Sequence, residues 1–394
     1  MNAQEYKAPE SVSRVQSAGW FVGGVALIAA IFGAITSPDK FYQSYLMTYL
    51  LVLGLTLGSL GLLMLQHLTG GNWGIIIRRP LEAAAQNIWL VFLMFVPVVL
   101  GMNSLYRAWL DPELRKADPL SPLQQWYLTS SGFLIRAALY FAIWFALIRI
   151  FNRWSQKQDI DQDDRGLRRS FKLLAGPGII LYVVAMTFAS IDWAMSLSPH
   201  WASTIYGFIF VAGQAVSAMS LMIAVVVLLS GSEPFSGILQ KRHLHDLGKL
   251  LFAFNMLWAY FDFSQLLIIW SGNLPEEITF YRTRLSGGWG VVAVAVLVLE
   301  FAVPFLLLLS EDVKRNPRVI SKIALWMIFM RLVDMFWTTR PELSARVLPT
   351  WLDIVVPVAL IGLWVGFFAR NLKQRPLLPL GDPKLEEAIA HHEH

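Results

Sequence analysis

The 394-residue chain has no cysteine. Disulfides, thiolate zinc sites, thiolate-held iron–sulfur clusters and CxxCH haem attachment are therefore excluded. If the protein works in redox chemistry, the metal centres belong to a partner. Charge is also scarce. Asp, Glu, Lys and Arg make up 15% of the chain, against about 25% in an ordinary soluble domain. The first 17 residues lack the basic start, short apolar core and small-residue cleavage site of a removed signal peptide. The first apolar run is thus expected to stay as an anchor. No period-2 alternation points to a β-barrel.

What is abundant is apolar. Hydrophobic residues make up 56% of the chain and the mean hydropathy is +0.53. The 16 tryptophans suit aromatic belts at membrane–water interfaces. A net charge of +5 fits Lys and Arg held on the cytoplasmic side rather than nucleic-acid binding. A helix needs about 20 apolar residues to cross a bilayer. Ten such runs are read: 19–36, 43–66, 84–105, 128–150, 176–193, 204–230, 248–270, 289–310, 319–337 and 351–369. The expected fold is an all-α polytopic membrane protein with ten transmembrane helices. It has a cytoplasmic segment 1–18, a membrane domain 19–369 and a cytoplasmic tail 370–394.

Sorted by alternate loops, 22 of the 32 Lys and Arg fall on one side and 8 on the other, with Arg136 and Arg331 inside spans. Seven lie between Arg149 and Lys172 alone. The positive-inside rule places both termini in the cytoplasm. The stretch "SIDWAMSLSPHW" (190–201) then faces outward, as do the loops 110–127 and 271–288. Spans five and nine each carry an Asp shortly before a Trp near the outer end, Asp192–Trp193 and Asp334 with Trp337. A weak internal repeat follows: spans two to five (43–193) and six to nine (204–337) read as related four-helix bundles, with spans one and ten peripheral.

Ionisable groups inside a span are costly and are functional candidates by default. Arg136, Asp192, Asp262, Glu300, Arg331 and Asp334 qualify. Arg331 and Asp334 are three apart and share a helix face, so a structural ion pair is one reading. The other reading is a proton relay through Asp262 and Glu300, continuing outward through Asp334 and Asp192 to His200. Arg331 and Arg136 would set the local potential, since Arg does not deprotonate. Inward, His67 is the only titratable candidate. No facing histidine pair for a b-type haem emerges, because His67 and His200 lie at opposite faces and His243 and His245 point apart. Arg78, Arg79 and Glu82 read as an inner-surface turn or a proton funnel. The closing "HHEH" reads as a solvated tail or a metal-binding tail, and "KLEEAIA" as a short acidic helix.

The segments "HLTGG" with "RRPLEAA", "DWAMSLSPHWASTIYG" and "DLGKLLFAFNMLWAYFDFSQLLIIWSGNLPEE" closely resemble one family over nearly the whole chain. It is the F-type, NrfD-like (polysulfide-reductase-like) membrane subunit of bacterial alternative complex III, a quinol:electron-acceptor oxidoreductase. The resemblance implies ten helices in two four-helix bundles and residence in the bacterial cytoplasmic membrane. It implies as partners a multihaem cytochrome c, an iron–sulfur protein, a sister NrfD-like subunit, small membrane subunits and lipids. Haem c and iron–sulfur clusters would sit in those partners. This chain would be an auxiliary, proton-conducting or scaffold subunit with a candidate pocket for menaquinone or another quinone and no covalently bound cofactor. No residue is carried over as a quinone ligand. A stand-alone secondary transporter and a quinone-reducing anchor of a molybdenum-type oxidoreductase are the alternatives.

Overall fold

In the computed structural model, residues 6–160, 165–382 and 385 are described. Every regular element among them is helical. The long helices are α1 (Glu10–Thr36), α2 (Pro38–Thr69), α3 (Arg78–Leu100), α4 (Ser130–Ile160), α5 (Arg165–Trp193), α6 (Tyr206–Leu229), α7 (Lys241–Gly272), α8 (Trp289–Leu309), α9 (Pro317–Thr339) and α10 (Leu352–Leu372). Nine described helices are long and apolar enough to cross a membrane. The exception is α9, whose 23 residues include Lys322, Arg331 and Asp334.

Several helices outrun the apolar runs that marked them. α1 begins at Glu10, inside the segment 1–18 expected to precede the membrane domain. α4, α5 and α7 extend to Ile160, Arg165 and Lys241, well past the hydrophobic stretch. Hydropathy marks only the part of a helix that meets lipid, while the hydrogen-bonded spiral continues into the interface wherever no breaker stops it. Breakers do act at α2. Pro38 opens it at N1, and Gly70 closes it with φ of 66°, a left-handed cap that glycine adopts at little cost. α3 starts earlier than the apolar run, at Arg78, and is interrupted at Gln86–Asn87. Asn87 there donates to the Trp364 carbonyl and accepts from Asn371, tying α3 to α10.

α2 is apolar all round and almost wholly buried, which marks a central helix. It packs against α3, α5, α6, α9 and α10. α4 packs against α3 and α5, α7 against α6 and α8, and α9 against α6 and α8. Gly58 lets α2 approach α6 closely: a Cβ there would lie 2.2 Å from the Gln214 carbonyl oxygen. α1 and α10 run antiparallel along a glycine seam. Gly19 faces Gly362 and Gly366, Gly23 faces Gly362, and Gly33 faces Leu352. Such small-residue stripes allow tight helix contact where lipid offers no hydrophobic drive. The chain ends follow suit, for Leu377 N–H donates to the Tyr6 carbonyl at 2.8 Å.

Two segments outside the long helices are more ordered than the sequence suggests. The loop expected at 271–288 contains the helix Pro275–Leu285. Its Arg284 is buried, bonds Glu342 at 2.6 Å and the Thr338 carbonyl at 2.7 Å, and stacks on Phe280. The tail after Leu372 lies on its own chain. Leu377 and Leu378 are fully buried, and Arg375 and Asp382 reach Glu82 and Arg78. "HHEH" and most of "KLEEAIA" fall outside the described residues.

Candidate functional site

The mid-span charges of α7, α8 and α9 gather into one cluster, and local sequence explains how. Residues Val296–Ala302 of α8 form a π-helical stretch. In π geometry the Leu299 carbonyl would take its hydrogen bond from residue 304. That residue is Pro304, which has no N–H to give. The Trp326 indole of α9 donates to the Leu299 carbonyl instead, at 2.8 Å. Glu300 sits within this widened turn, about 16 Å from the start of α8 at 1.5 Å per residue.

The Glu300 side chain has no exposure. Its Oε1 accepts from Arg331 Nη1 at 2.9 Å, while its Oε2 is buried with no partner. The same Arg331 nitrogen lies 2.8 Å from Asp334 Oδ2, so the expected same-helix pair exists and Glu300 joins it from α8. Arg331 is accommodated by Gly213 of α6: a Cβ there would sit 2.1 Å from Nη2. The Trp258 ring of α7 covers the guanidinium at 5.2 Å. Asp262 lies one helical turn from Trp258 and within electrostatic reach of Asp334, Arg331 and Glu300. It makes no hydrogen bond or ion pair among the described residues. Three carboxylates therefore face one guanidinium.

Other polar groups continue from this cluster in both directions. On α7, Asn255, Trp258, Asp262 and Gln265 recur every three or four residues and share a face. Both amide atoms of Asn255, the Ser220 hydroxyl and the Tyr206 hydroxyl are buried and have no protein partner. Towards the outer end Gln265 accepts from Ser203 at 2.7 Å and donates to Tyr281 at 3.3 Å. The sequence reading missed Asn255, Gln265 and Tyr206. The polar period on span seven was the signal that could have found them.

The remaining expected residues lie elsewhere. Asp192 is fully buried at the end of α5. Arg136 grips it through two nitrogens at 2.9 and 2.8 Å, and the Tyr140 hydroxyl donates at 2.7 Å. The Tyr127 ring covers Arg136 at 3.8 Å. His200 pairs with Asp118 rather than Asp192, at 3.0 Å, in a hollow of about 440 Å³ that Glu342 also lines. A neighbouring hollow of about 280 Å³ is lined by Tyr127, Phe188, Ile191, Met195 and Trp201. His67 stacks on Phe171 and near Phe151, with ring centroids 4.3 and 5.5 Å away, and the two phenylalanines lie 6.0 Å from each other.

At the inner ends of α3 and α4, Glu82 accepts from Arg78, Arg79, Arg375 and Ser155 at 3.1, 2.6, 3.3 and 2.7 Å. Asp159 pairs with Arg79, and Asp382 with Arg78. Burial lowers the Arg375 guanidinium below its ordinary value and the Glu82 carboxylate opposes that shift. Both Glu82 oxygens are satisfied in this ion-pair network, and among the described residues only Arg79 Nε has no partner in it. Of the two readings of the "RRPLEAA" turn, its geometry favours the structural one. Among the described residues no group of three or more His, Asp or Glu is placed to hold a metal ion.

No protein-family model matches the chain, and no curated protein matches it either.

Proposed function

We propose that this chain is a proton-conducting membrane subunit whose proton-holding centre is the Glu300–Arg331–Asp334 cluster with Asp262. One observation carries the reading: a mid-span carboxylate with one oxygen ion-paired and the other buried and unpartnered, beside further carboxylates that outnumber the cation. A purely structural ion pair satisfies its oxygens, as Asp192 does. The unpartnered atoms of Glu300, Asn255 and Tyr206 are buried polar groups to which waters along a path would bond. The path then runs from Asn255 through Glu300, Asp334 and Asp262 to Gln265 and Tyr281. His67, packed in a cluster with two phenylalanines of α4 and α5, is left out. Asp192 and Arg136 act as a helix tie.

The antiparallel pairing of α1 and α10 supports an even number of crossings. With nine apolar spans, α9 supplies the tenth, and its Arg331 and Asp334 are tolerated because they face α6, α7 and α8, while the exposed Lys322 lies near its first turn. The packing of α3 and α5 on α2, and of α7 and α9 on α6, supports two four-helix bundles, α2–α5 and α6–α9; the Lys and Arg asymmetry supports cytoplasmic termini, and the family resemblance supports a bacterial inner membrane. On the family resemblance, such a subunit would belong to an alternative-complex-III assembly, beside a cytochrome c, an iron–sulfur protein and a sister membrane subunit. Were quinol oxidised against this chain, His200 and Asp118 are the outer groups able to take its protons, and Leu197, Trp201 and Phe280 are the apolar walls of that hollow. The transporter reading is weaker. Its paired broken helices are not found here, since the breaks fall in α3 and α8, which do not correspond between the bundles.

The test uses the assembly that carries the chain, reconstituted in vesicles. Glu300→Gln and Asp262→Asn should leave assembly and haem reduction intact and lower proton release per electron. Unchanged stoichiometry in both variants would return the cluster to a structural role.

A further inference from the structure

A hollow of about 610 Å³ opens on the outside of the protein between α3, α4 and the segment after α10. Its polar wall holds Arg149, Arg153 and Arg375, with amides from Asn152 and its neighbours, and no carboxylate lines it. Arg149 and Arg153 are four apart, so they present one face of α4. Both are exposed, and neither has a hydrogen-bond or ion-pair partner among the described residues. Arg375 is already held by Glu82 and by the Asn152 carbonyl, which fixes the back of the hollow. The opposite wall is aromatic. Trp89 is 62% exposed and packs on Phe145 with centroids 4.2 Å apart.

Depth decides what such a mixed pocket meets. Arg149 lies about 28 Å along α4 from Ser130 at 1.5 Å per residue, close to the thickness of a bilayer core. Trp89 and the guanidiniums are therefore at an interface. Below them the exposed side chains turn wholly apolar, with Leu93 on α3 and Leu139 on α4. A free phosphate would use the cations and leave the tryptophan and the apolar track unexplained. An acidic peptide would meet the cations but not the lipid-facing track.

We propose that this hollow is a binding site for one anionic phospholipid, with its phosphodiester between Arg149 and Arg153, its glycerol region against Trp89, and its chains along Leu93 and Leu139. A second basic hollow, formed by Lys241, Arg315 and Arg318, provides an internal contrast. Asp312 lines it and Arg315 is paired with Glu311, so its positive charge is already partly neutralised. The proposal needs only that these helices span a bilayer and does not depend on proton conduction.

The full chain is delipidated in detergent and titrated with phosphatidylglycerol or phosphatidylcholine of identical chains, and bound lipid is read by native mass spectrometry. The unaltered protein should prefer phosphatidylglycerol. Loss of both charges in Arg149→Gln with Arg153→Gln should weaken that binding about 30-fold, at roughly fivefold per interfacial basic residue. Arg318→Gln should leave it unchanged. Equal binding of the two lipids, no effect of the double variant, or an equal effect of Arg318→Gln would each overturn the proposal. Competition by glycerol 3-phosphate at lipid-like concentrations would also overturn it, by showing a site for a free anion. Photolabelling of the unaltered chain by a diazirine-bearing phosphatidylglycerol needs no variant. Label concentrated on residues 86–93 and 145–156 supports the site, and label spread evenly over the apolar surface refutes it.

Discussion

At the residue scale, the charges differ in how completely they are satisfied. Glu82 takes hydrogen bonds from three guanidiniums and a serine. Removing its charge strands buried cations, which costs about 3–5 kcal/mol in comparable buried pairs. Glu82→Gln is therefore expected to lower the thermal midpoint of the detergent-solubilised chain by several degrees, whereas Glu300→Gln is expected to lower it much less. A midpoint unchanged by Glu82→Gln would show that the network is weaker than its geometry implies. Gly213 offers a second check. A methyl there would overlap Arg331, so Gly213→Ala should displace the guanidinium and mimic loss of the Glu300 pair in proton-release assays. Normal proton release in Gly213→Ala would argue that Arg331 need not hold its position. The individual charges were legible in the sequence because each interrupts an apolar run. So was the pair of Arg331 with Asp334, three apart on one helix, but partners on other elements were not. Arg331 with Glu300, Arg284 with Glu342 and Arg340 with Asp353 join residues on different elements, and spacing along one chain carries no information about which helices meet.

At the element scale, α8 shows a local sequence choice compensated at a distance. Pro304 deprives the Leu299 carbonyl of its helical donor and Trp326 replaces it. In an apolar surrounding, a carbonyl without a donor costs about 1–3 kcal/mol. Trp326→Phe should therefore destabilise the chain by about that much. Pro304→Ala restores an N–H, so the same Trp326→Phe change should cost distinctly less in that background. Thermal unfolding of the four chains in one double-mutant cycle measures the coupling. A coupling near zero would mean that lipid headgroups or water satisfy Leu299 and the tryptophan contact is incidental. The proline was visible in the sequence, but the π-helical stretch was not, because nothing in an apolar run distinguishes a five-residue from a four-residue hydrogen bond. The same limit explains the helix ends. Apolar runs located the lipid-crossing parts of α4, α5 and α7 but not their polar extensions.

At the scale of the whole molecule, topology is the property with the widest support and the sharpest test. The asymmetry of Lys and Arg and the antiparallel α1–α10 seam are independent, since one concerns loop charge and the other helix packing. The glycine seam forces the start of α1 and the end of α10 to the same side, and the Leu377–Tyr6 hydrogen bond joins the two ends there. Residues near 160, between α4 and α5, should share that side, because four crossings separate them from the N-terminus. Reporter or cysteine-accessibility tags at the N-terminus, near residue 160 and after residue 375 should thus all report the cytoplasm. Tags at 118 and 276 should report the opposite side. If α9 lay on the surface rather than crossing, the tag after residue 375 would move to the outside while the one near 160 stayed in. That outcome would also require α1 and α10 to part, so Gly23→Val and Gly362→Val, which widen the seam at a typical overpacking cost of about 1–3 kcal/mol, should be tolerated. In the ten-crossing arrangement the same substitutions should destabilise the chain without inverting any tag. The two measurements together decide whether the charged helix is the tenth span, and with it whether the Glu300–Arg331–Asp334 cluster lies within the membrane, where a proton relay would need it.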